Sequence, residues 1–386
     1  MHVVDATLFY SPTSGGVKRY LLAKHEWMRA HTSWRHSIVV PGQHAMHSPD
    51  EISTVAGQLV PGTFNYRLPL NPLRWSRAIE ELAPDLIEIG DAFHPAWAAA
   101  GVARRRGIPL IAFYHSNFPA LAGRRLGGAV QRMIEWYVKL TYEQCTQVLA
   151  PSRYICDYLH RIGVRNALCQ PLGVDIETFS PARGGRNLRA ELGLPPGTRL
   201  AVFAGRFSAE KNIPMLIEAF RRLGAGYHLL LIGGATTARR DNVTHIPYCR
   251  NSRELASYLA SADVFVHAGM HETFGLIVLE ALACGRPVVS FRAGALPELV
   301  DPRAGLLAEP RADPDICAAN LADAIAALYE RDVAALGAAA RAHVMANYSW
   351  SRALQALMTR YQAALGARQP GITPSRTTSA DSPAPI

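Results

Sequence analysis

The sequence predicts an α/β protein built as two doubly wound parallel-sheet domains. Three observations carry the prediction. Strand-like and helix-like runs alternate through residues 3–162 and again through 200–347, the pattern that stacks helices on both faces of a parallel sheet. Between these halves, residues 173–187 lose their regular pattern and gather Pro181, Gly184 and Gly185, as a linker does. The chain has 386 residues, 49% hydrophobic and 18% charged, which is enough for two cores and excludes a disordered polymer.

In the first half, apolar runs at 3–8, 37–40, 86–89, 110–113 and 148–150 have the length of buried strands. Helical periodicity fills 17–30, 73–82, 96–105, 130–144 and 153–162. A further short strand at 168–170 leads into the linker. The second half repeats the scheme, with strands at 200–204, 229–232, 244–246, 264–267, 288–291 and 305–308. Helices are expected at 213–223, 252–260, 275–283, 314–329, 333–347 and 349–365, with a short Pro/Gly-capped one at 294–299. The expected division is 1–172 as the first domain, 173–187 as linker, 188–347 as the second domain and 348–366 as a final helix. The Pro/Ser/Thr-rich stretch 367–386 has little to bury and is expected to be disordered.

Ligands of such sheets collect at the carboxyl ends of the strands, so the loops there hold the candidate site. The loop 11–17 carries Gly15 and Gly16 at the start of a helix, where backbone amides can approach an anion, although a plain tight turn would use the same pair. His115 ends the strand 110–113 in the loop Tyr114-His115-Ser116-Asn117, placed to meet a hydroxyl or to pack beside Tyr114. The loop Gly205-Arg206-Phe207-Ser208-Ala209-Glu210-Lys211-Asn212 sets two cations at a strand end, suited to phosphate oxygens; Lys211 could instead pair with Glu210 or Glu218. No Walker-type or dinucleotide-type glycine motif occurs.

The stretch His271-Glu272-Thr273-Phe274-Gly275-Leu276-Ile277-Val278-Leu279-Glu280 holds the most chemistry. Glu280 sits inside an apolar helix, where a carboxylate is costly unless it meets a partner. Glu272 stands ahead of that helix, and the first-turn amides of Gly275 and Leu276 carry partial positive charge toward it. A nucleotide sugar would use all three features: sugar hydroxyls on Glu272, diphosphate on the amides, ribose on Glu280. A helix-surface Glu280 is the bland alternative, and His271 has no assigned role.

Net charge is +9, and residues 1–170 hold 18 Lys/Arg against 12 Asp/Glu. An anionic substrate, an anionic membrane surface or a solvated basic face would each account for this. Nucleic acid is disfavoured because no recognition motif is present. The segment 124–139, with Met133, Trp136, Tyr137 and Leu140 among cations, reads either as a membrane-facing helix or as a core crossover helix. Six cysteines without C-x-x-C or metal spacing suit a reducing compartment. Met1 leads straight into V-V-D-A-T-L, so the expected location is the cytoplasm or the inner face of a membrane.

Four fragments together resemble the family 4 retaining glycosyltransferases of GT-B fold: S-G-G-V-K-R-Y, P-L-G-V-D-I-E-T-F-S-P, G-R-F-S-A-E-K-N, and E-T-F-G-L-I-V-L-E-A-L-A-C-G-R-P-V-V with its E-x7-E spacing. The resemblance implies two Rossmann-like domains facing a cleft, with the last helix crossing back to the first. It implies that Glu272 binds the donor sugar, Glu280 the ribose, and Arg206 and Lys211 the diphosphate, with Phe274, Gly275 and Leu276 at the donor. Gly15 and Gly16 would border the diphosphate, His115 the reacting centre, and Tyr248 and Cys249 the base. The implied catalytic set is Glu272, His115, Arg206 and Lys211. The implied reaction moves a glucosyl or mannosyl group from a UDP- or GDP-sugar to a lipid-linked or polysaccharide-precursor acceptor in cell-envelope synthesis. It needs no metal or other cofactor and proceeds by front-face attack. A sugar-nucleotide epimerase, a phosphorylase and a non-catalytic nucleotide-sugar binder are the alternatives.

Overall fold

The computed structural model describes residues 1–10, 15–48, 50–60 and 66–366. The first four residues of the glycine loop and the 367–386 tail, expected to be disordered, lie outside the described residues.

The first sheet has seven strands: β1 (His2–Ala6), β2 (Arg35–Gly42), β3 (Ile52–Ala56), β4 (Leu86–Ile89), β5 (Leu110–Phe113), β6 (Gln147–Ala150) and β7 (Ala167–Cys169), in the order β3-β2-β1-β4-β5-β6-β7. Every neighbouring pair in it is parallel. The second sheet has β8 (Arg199–Ala204), β9 (Tyr227–Gly234), β10 (Ala238–Arg240), β11 (Val243–Pro247), β12 (Val264–His267), β13 (Val288–Phe291) and β14 (Gly305–Ala308), in the order β10-β11-β9-β8-β12-β13-β14. Only its edge pair, β10 with β11, is antiparallel. Both sheets therefore reverse strand order beside their first strand, and the loops at β1 and β8 open at the switch points where ligands gather.

Helices cover both faces, so the central strands are apolar throughout. Leu110, Ile111, Ala112 and Phe113 are all buried, as are Val264, Phe265, Val266 and His267. The exception in the first core is a charged cluster. Lys24, fully buried, donates to Asp5 Oδ1 (2.8 Å), Glu88 Oε1 (2.7 Å) and Tyr361 Oη (3.0 Å). Tyr361 also donates to Glu88 Oε2 (2.6 Å). Because Tyr361 lies on the last helix (Trp350–Gly366), this cluster ties that helix to the first domain, helped by Arg360 donating to Gln170 and to the Cys169 carbonyl.

The structure adds elements that periodicity did not indicate. β3 and β10 are edge strands, and β10 is fully exposed Ala-Arg-Arg with no apolar signal to read. A short hairpin pairs Gln58–Leu59 with Arg67–Leu68. The segment 124–139 is not one helix: Phe118–Leu126 ends at Gly127 (φ 93°), and Gly128–Tyr142 follows. Nor is it a core crossover, since Leu126, Met133 and Trp136 are more than half exposed. Among the described residues no helix is long and apolar enough to cross a membrane.

Candidate active site

The second-domain wall of the cleft begins where β12 ends at His267. The chain turns through Gly269 to Glu272 and enters the helix Leu276–Ala283 after Gly275, whose φ of 103° only glycine adopts without strain. That turn leaves the helix N-terminus open on the cleft side. Glu272 Oε1 accepts from His267 Nε2 (2.9 Å) and from Lys211 Nζ. Burial pushes the Glu272 carboxyl up, but Lys211 and His267 outweigh it and hold the group well below the usual carboxylate range. Among the described residues Oε2 of Glu272 takes no hydrogen bond.

Lys211 closes the 3-10 turn Ala209–Lys211, and Asn212 behind it anchors the turn by donating to the Ala268 carbonyl (2.9 Å). The surface pairing with Glu210 or Glu218 is thereby corrected: Lys211 turns inward to Glu272, and Glu218 pairs with Arg221 and Arg222. Arg206 is exposed at the rim, and its charge opposes the rise that burial gives the Tyr66 phenol of the first domain.

Glu280 lies at the start of the second turn of its helix and is 2% exposed. Its partner comes from the other domain: Arg19 Nη1, on the helix Gly16–His31, donates to Glu280 Oε1. Burial raises the Glu280 carboxyl; Arg19 opposes this without cancelling it. Among the described residues Oε2 of Glu280, which is buried, has no partner. A surface-exposed Glu280 is excluded by this burial.

The two helix N-termini approach each other. A Cβ on Gly16 would stand 3.2 Å from Leu276 Cδ1, so the first-domain helix begins against the start of the second-domain helix. Each helix start carries partial positive charge from its aligned backbone dipoles, which favours an anion where the two meet. Beside it, a cavity of about 470 Å³ is lined by Arg19, Trp27, Asp175, Leu276, Glu280 and Trp350.

His115 forms the facing wall. Its ring stacks on Phe113 (4.5 Å between centroids, 6° between planes), and its carbonyl accepts from Thr273 Oγ1 (3.3 Å), next to Glu272. Burial, helped by the nearby Lys24 charge and opposed by Asp5, brings its pKa down to about 3, so the imidazole is neutral. Its Nε2 is buried and has no partner among the described residues.

Tyr248 and Cys249 follow β11 near Arg19, and Cys249 Sγ lies 3.3 Å from Glu254 Oε2. The Phe274 side chain does not line the site. It is 4% exposed and packs edge-on against Tyr348 (6.2 Å). The sequence reading missed Arg19 and His267. Arg19 lies one turn past Gly15, inside the fragment already singled out, and a histidine closing a buried apolar strand was the available signal for His267.

Residues 14–178 match the family described as Glycosyltransferase Family 4, and residues 198–331 match Glycosyl transferases group 1. The GDP-mannose-dependent alpha-(1-6)-phosphatidylinositol dimannoside mannosyltransferase of Mycobacterium tuberculosis is 30% identical over 334 residues, covering 81% of this chain and 84% of that protein. The D-inositol 3-phosphate glycosyltransferase of an Arthrobacter species is 32% identical over 314 residues, covering 71% of each chain. Among solved structures, sucrose-phosphate synthase from Thermosynechococcus elongatus superposes with a TM-score of 0.77 at 23% identity, covering 95% of this chain and 99% of that one. Anabaena HepE in complex with UDP and glucose gives 0.72 at 19%, covering 94% and 99%. With both halves matched to the family and the two facing parallel-sheet domains matched to these structures, the chain belongs to glycosyltransferase family 4 and is a hexosyltransferase of GT-B fold.

Proposed function

We propose that the protein transfers mannose from GDP-mannose, with retention, to an inositol-bearing glycolipid. One observation carries the reading of the site. Glu272 and Glu280, before and within a single helix, are each held at one oxygen and, among the described residues, unpartnered at the other, with a helix N-terminus between them. The open oxygen of Glu272 accepts from donor-sugar hydroxyls and that of Glu280 from the ribose. The diphosphate lies over the amides of Leu276 and the Gly15–Gly16 turn, with Arg206 and Lys211 as counter-charges, and the base reaches Tyr248 and Cys249. Mannose and GDP are favoured because relatives about 30% identical over most of their length are GDP-mannose-dependent mannosyltransferases.

In the reaction the bond from the anomeric carbon to the diphosphate oxygen breaks. An acceptor hydroxyl oxygen bonds that carbon from the same face, and its proton passes to the leaving phosphate oxygen. The main catalytic device is electrostatic: charge growing on the diphosphate meets Arg206, Lys211 and fixed backbone dipoles that need no reorganisation. Neutral His115 offers its free Nε2 to a sugar hydroxyl without adding charge. Because protein cations carry the diphosphate charge, turnover is expected to survive EDTA.

The exposed Leu126, Met133 and Trp136, set among Arg124, Arg125 and Arg132, suit an anionic membrane surface where such an acceptor would sit. Flotation with anionic vesicles at low salt tests this part; absence of binding removes it. The whole reading is tested by incubating the protein with GDP-mannose, UDP-glucose or ADP-glucose and a phosphatidylinositol mannoside acceptor. Formation of an α-mannosyl product from GDP-mannose alone is expected. Turnover only with another nucleotide sugar, or a β-linked product, refutes it.

A further inference from the structure

We infer that His267 is a positioning residue that holds Glu272 in its sugar-binding orientation while Lys211 attends to the donor diphosphate. The inference rests on Glu272 being the carboxylate that receives the donor sugar.

The argument starts from the single oxygen that both residues share. Lys211 Nζ and His267 Nε2 donate to the same Oε1 of Glu272, and Oε2 is left for a ligand. The two donors differ in mobility. Lys211 reaches Glu272 on a long flexible side chain from a partly exposed turn, with its side chain 20% exposed. His267 is the last residue of a central strand, fully buried, with its ring near-parallel to Phe203 (5.8 Å, 16°) and Phe265 (6.4 Å, 14°). The turn between them leaves no slack. A Cβ on Gly269 would lie 2.7 Å from His267 Nε2 and 3.3 Å from Glu272 Oε1, so the backbone passes close over that hydrogen bond.

An ammonium group drawn toward a dianionic diphosphate weakens its hold on Glu272. The carboxylate would then swing unless a second donor fixed to the sheet kept it in place. His267 is that donor. Its other nitrogen, Nδ1, is buried with no partner among the described residues, so the ring is less well satisfied than an apolar side chain would be among those aromatic neighbours. The Nε2–H bond to Glu272 is the one interaction that an apolar residue there could not make. A carboxylate that accepts through one fixed oxygen presents the other in a fixed direction, and this reads the positions of neighbouring sugar hydroxyls.

The test compares a nucleotide sugar with its bare nucleotide. Titration calorimetry is run on wild type, H267L and H267Q with GDP and GDP-mannose, or with UDP and UDP-glucose if wild type binds that pair. H267L should lose about 10- to 100-fold in affinity for the nucleotide sugar, the effect of one hydrogen bond to a charged group, with nucleotide affinity within about twofold of wild type. H267Q, whose amide can donate at similar reach, should recover most of the loss. In turnover the defect should appear chiefly as a raised donor KM, and the melting temperature of H267L should not fall. Equal losses for nucleotide and nucleotide sugar, an unchanged nucleotide-sugar affinity, or failure of glutamine to recover it would overturn the inference. If Glu272→Gln leaves nucleotide-sugar affinity unchanged, Glu272 holds no sugar. In that case the donor-site reading fails first and takes the inference with it.

Discussion

Arg19→Met is expected to strand the Glu280 carboxylate. The pair joins the two domains, with Glu280 side chain 3% and Arg19 side chain 32% exposed. Removing one member of a buried pair costs about 3–5 kcal/mol. Water already reaches part of Arg19, so roughly 2–3 kcal/mol is the appropriate size here. For a domain of this length that is a fall in melting temperature of roughly 5–10 °C. Glu280→Gln in the same background replaces the stranded charge with a neutral amide and should recover most of the fall. The pH dependence has a definite sign. The folded Glu280 carboxyl lies above its unfolded value, and the loss of Arg19 raises it further. Stability from the protonated form is complete below the unfolded value, about 4.3, and is lost as pH rises through the folded one. The R19M deficit should therefore shrink as pH falls toward the unfolded value. Scanning calorimetry of wild type, both single variants and the double variant measures the coupling. Additive losses in the double variant, or a deficit that grows on acidification, would refute the reasoning.

Glu272→Gln keeps the shape and removes the charge that Lys211 and His267 hold, so kcat/KM for the donor should fall by roughly 10- to 100-fold while nucleotide affinity stays; initial rates against donor concentration check it. His115→Phe preserves the stack on Phe113 and removes Nε2, so donor KM should rise by roughly 3- to 10-fold. The same variant has a pH signature. Between about 6.5 and about 3 the unfolded His115 binds a proton that the folded one refuses, so wild-type stability falls as pH falls through that window, and H115F should fall less. Gly275→Ala places a Cβ at φ 103°, against Leu296 and Leu299, and should cost about 1–3 kcal/mol in denaturant unfolding while weakening nucleotide binding.

The central strands and the order of the helices were legible because burial on both faces writes continuous apolar runs. Edge strands β3 and β10 were not, since one side of each meets solvent and their residues carry no such run. The stretch around Glu272 and Glu280 stood out because a carboxylate in an apolar helix contradicts its surroundings. What escaped was the partner set. Arg19 and Glu280 are 261 residues apart, and no periodicity within either domain relates them. Nor did the fragment show that the apolar ring of Phe274 packs against Tyr348, a long-range contact that buries it away from the polar cleft.

The sequence by itself determined two alternating domains, two carboxylates eight residues apart, one ahead of a helix and one within it, and cations and glycines at the ends of strands. Those are properties of local pattern, set by which side chains a strand or helix can bury. Only the tertiary structure decided which charge meets which. Lys211 went to Glu272 rather than to the surface, and Arg19 crossed the cleft to Glu280. His267, one more residue of a buried strand in the sequence, became the fixed donor behind Glu272. The reason is physical: a buried charge takes whatever opposite charge or hydrogen bond the packing brings within about 3 Å, and packing unites residues the chain holds far apart.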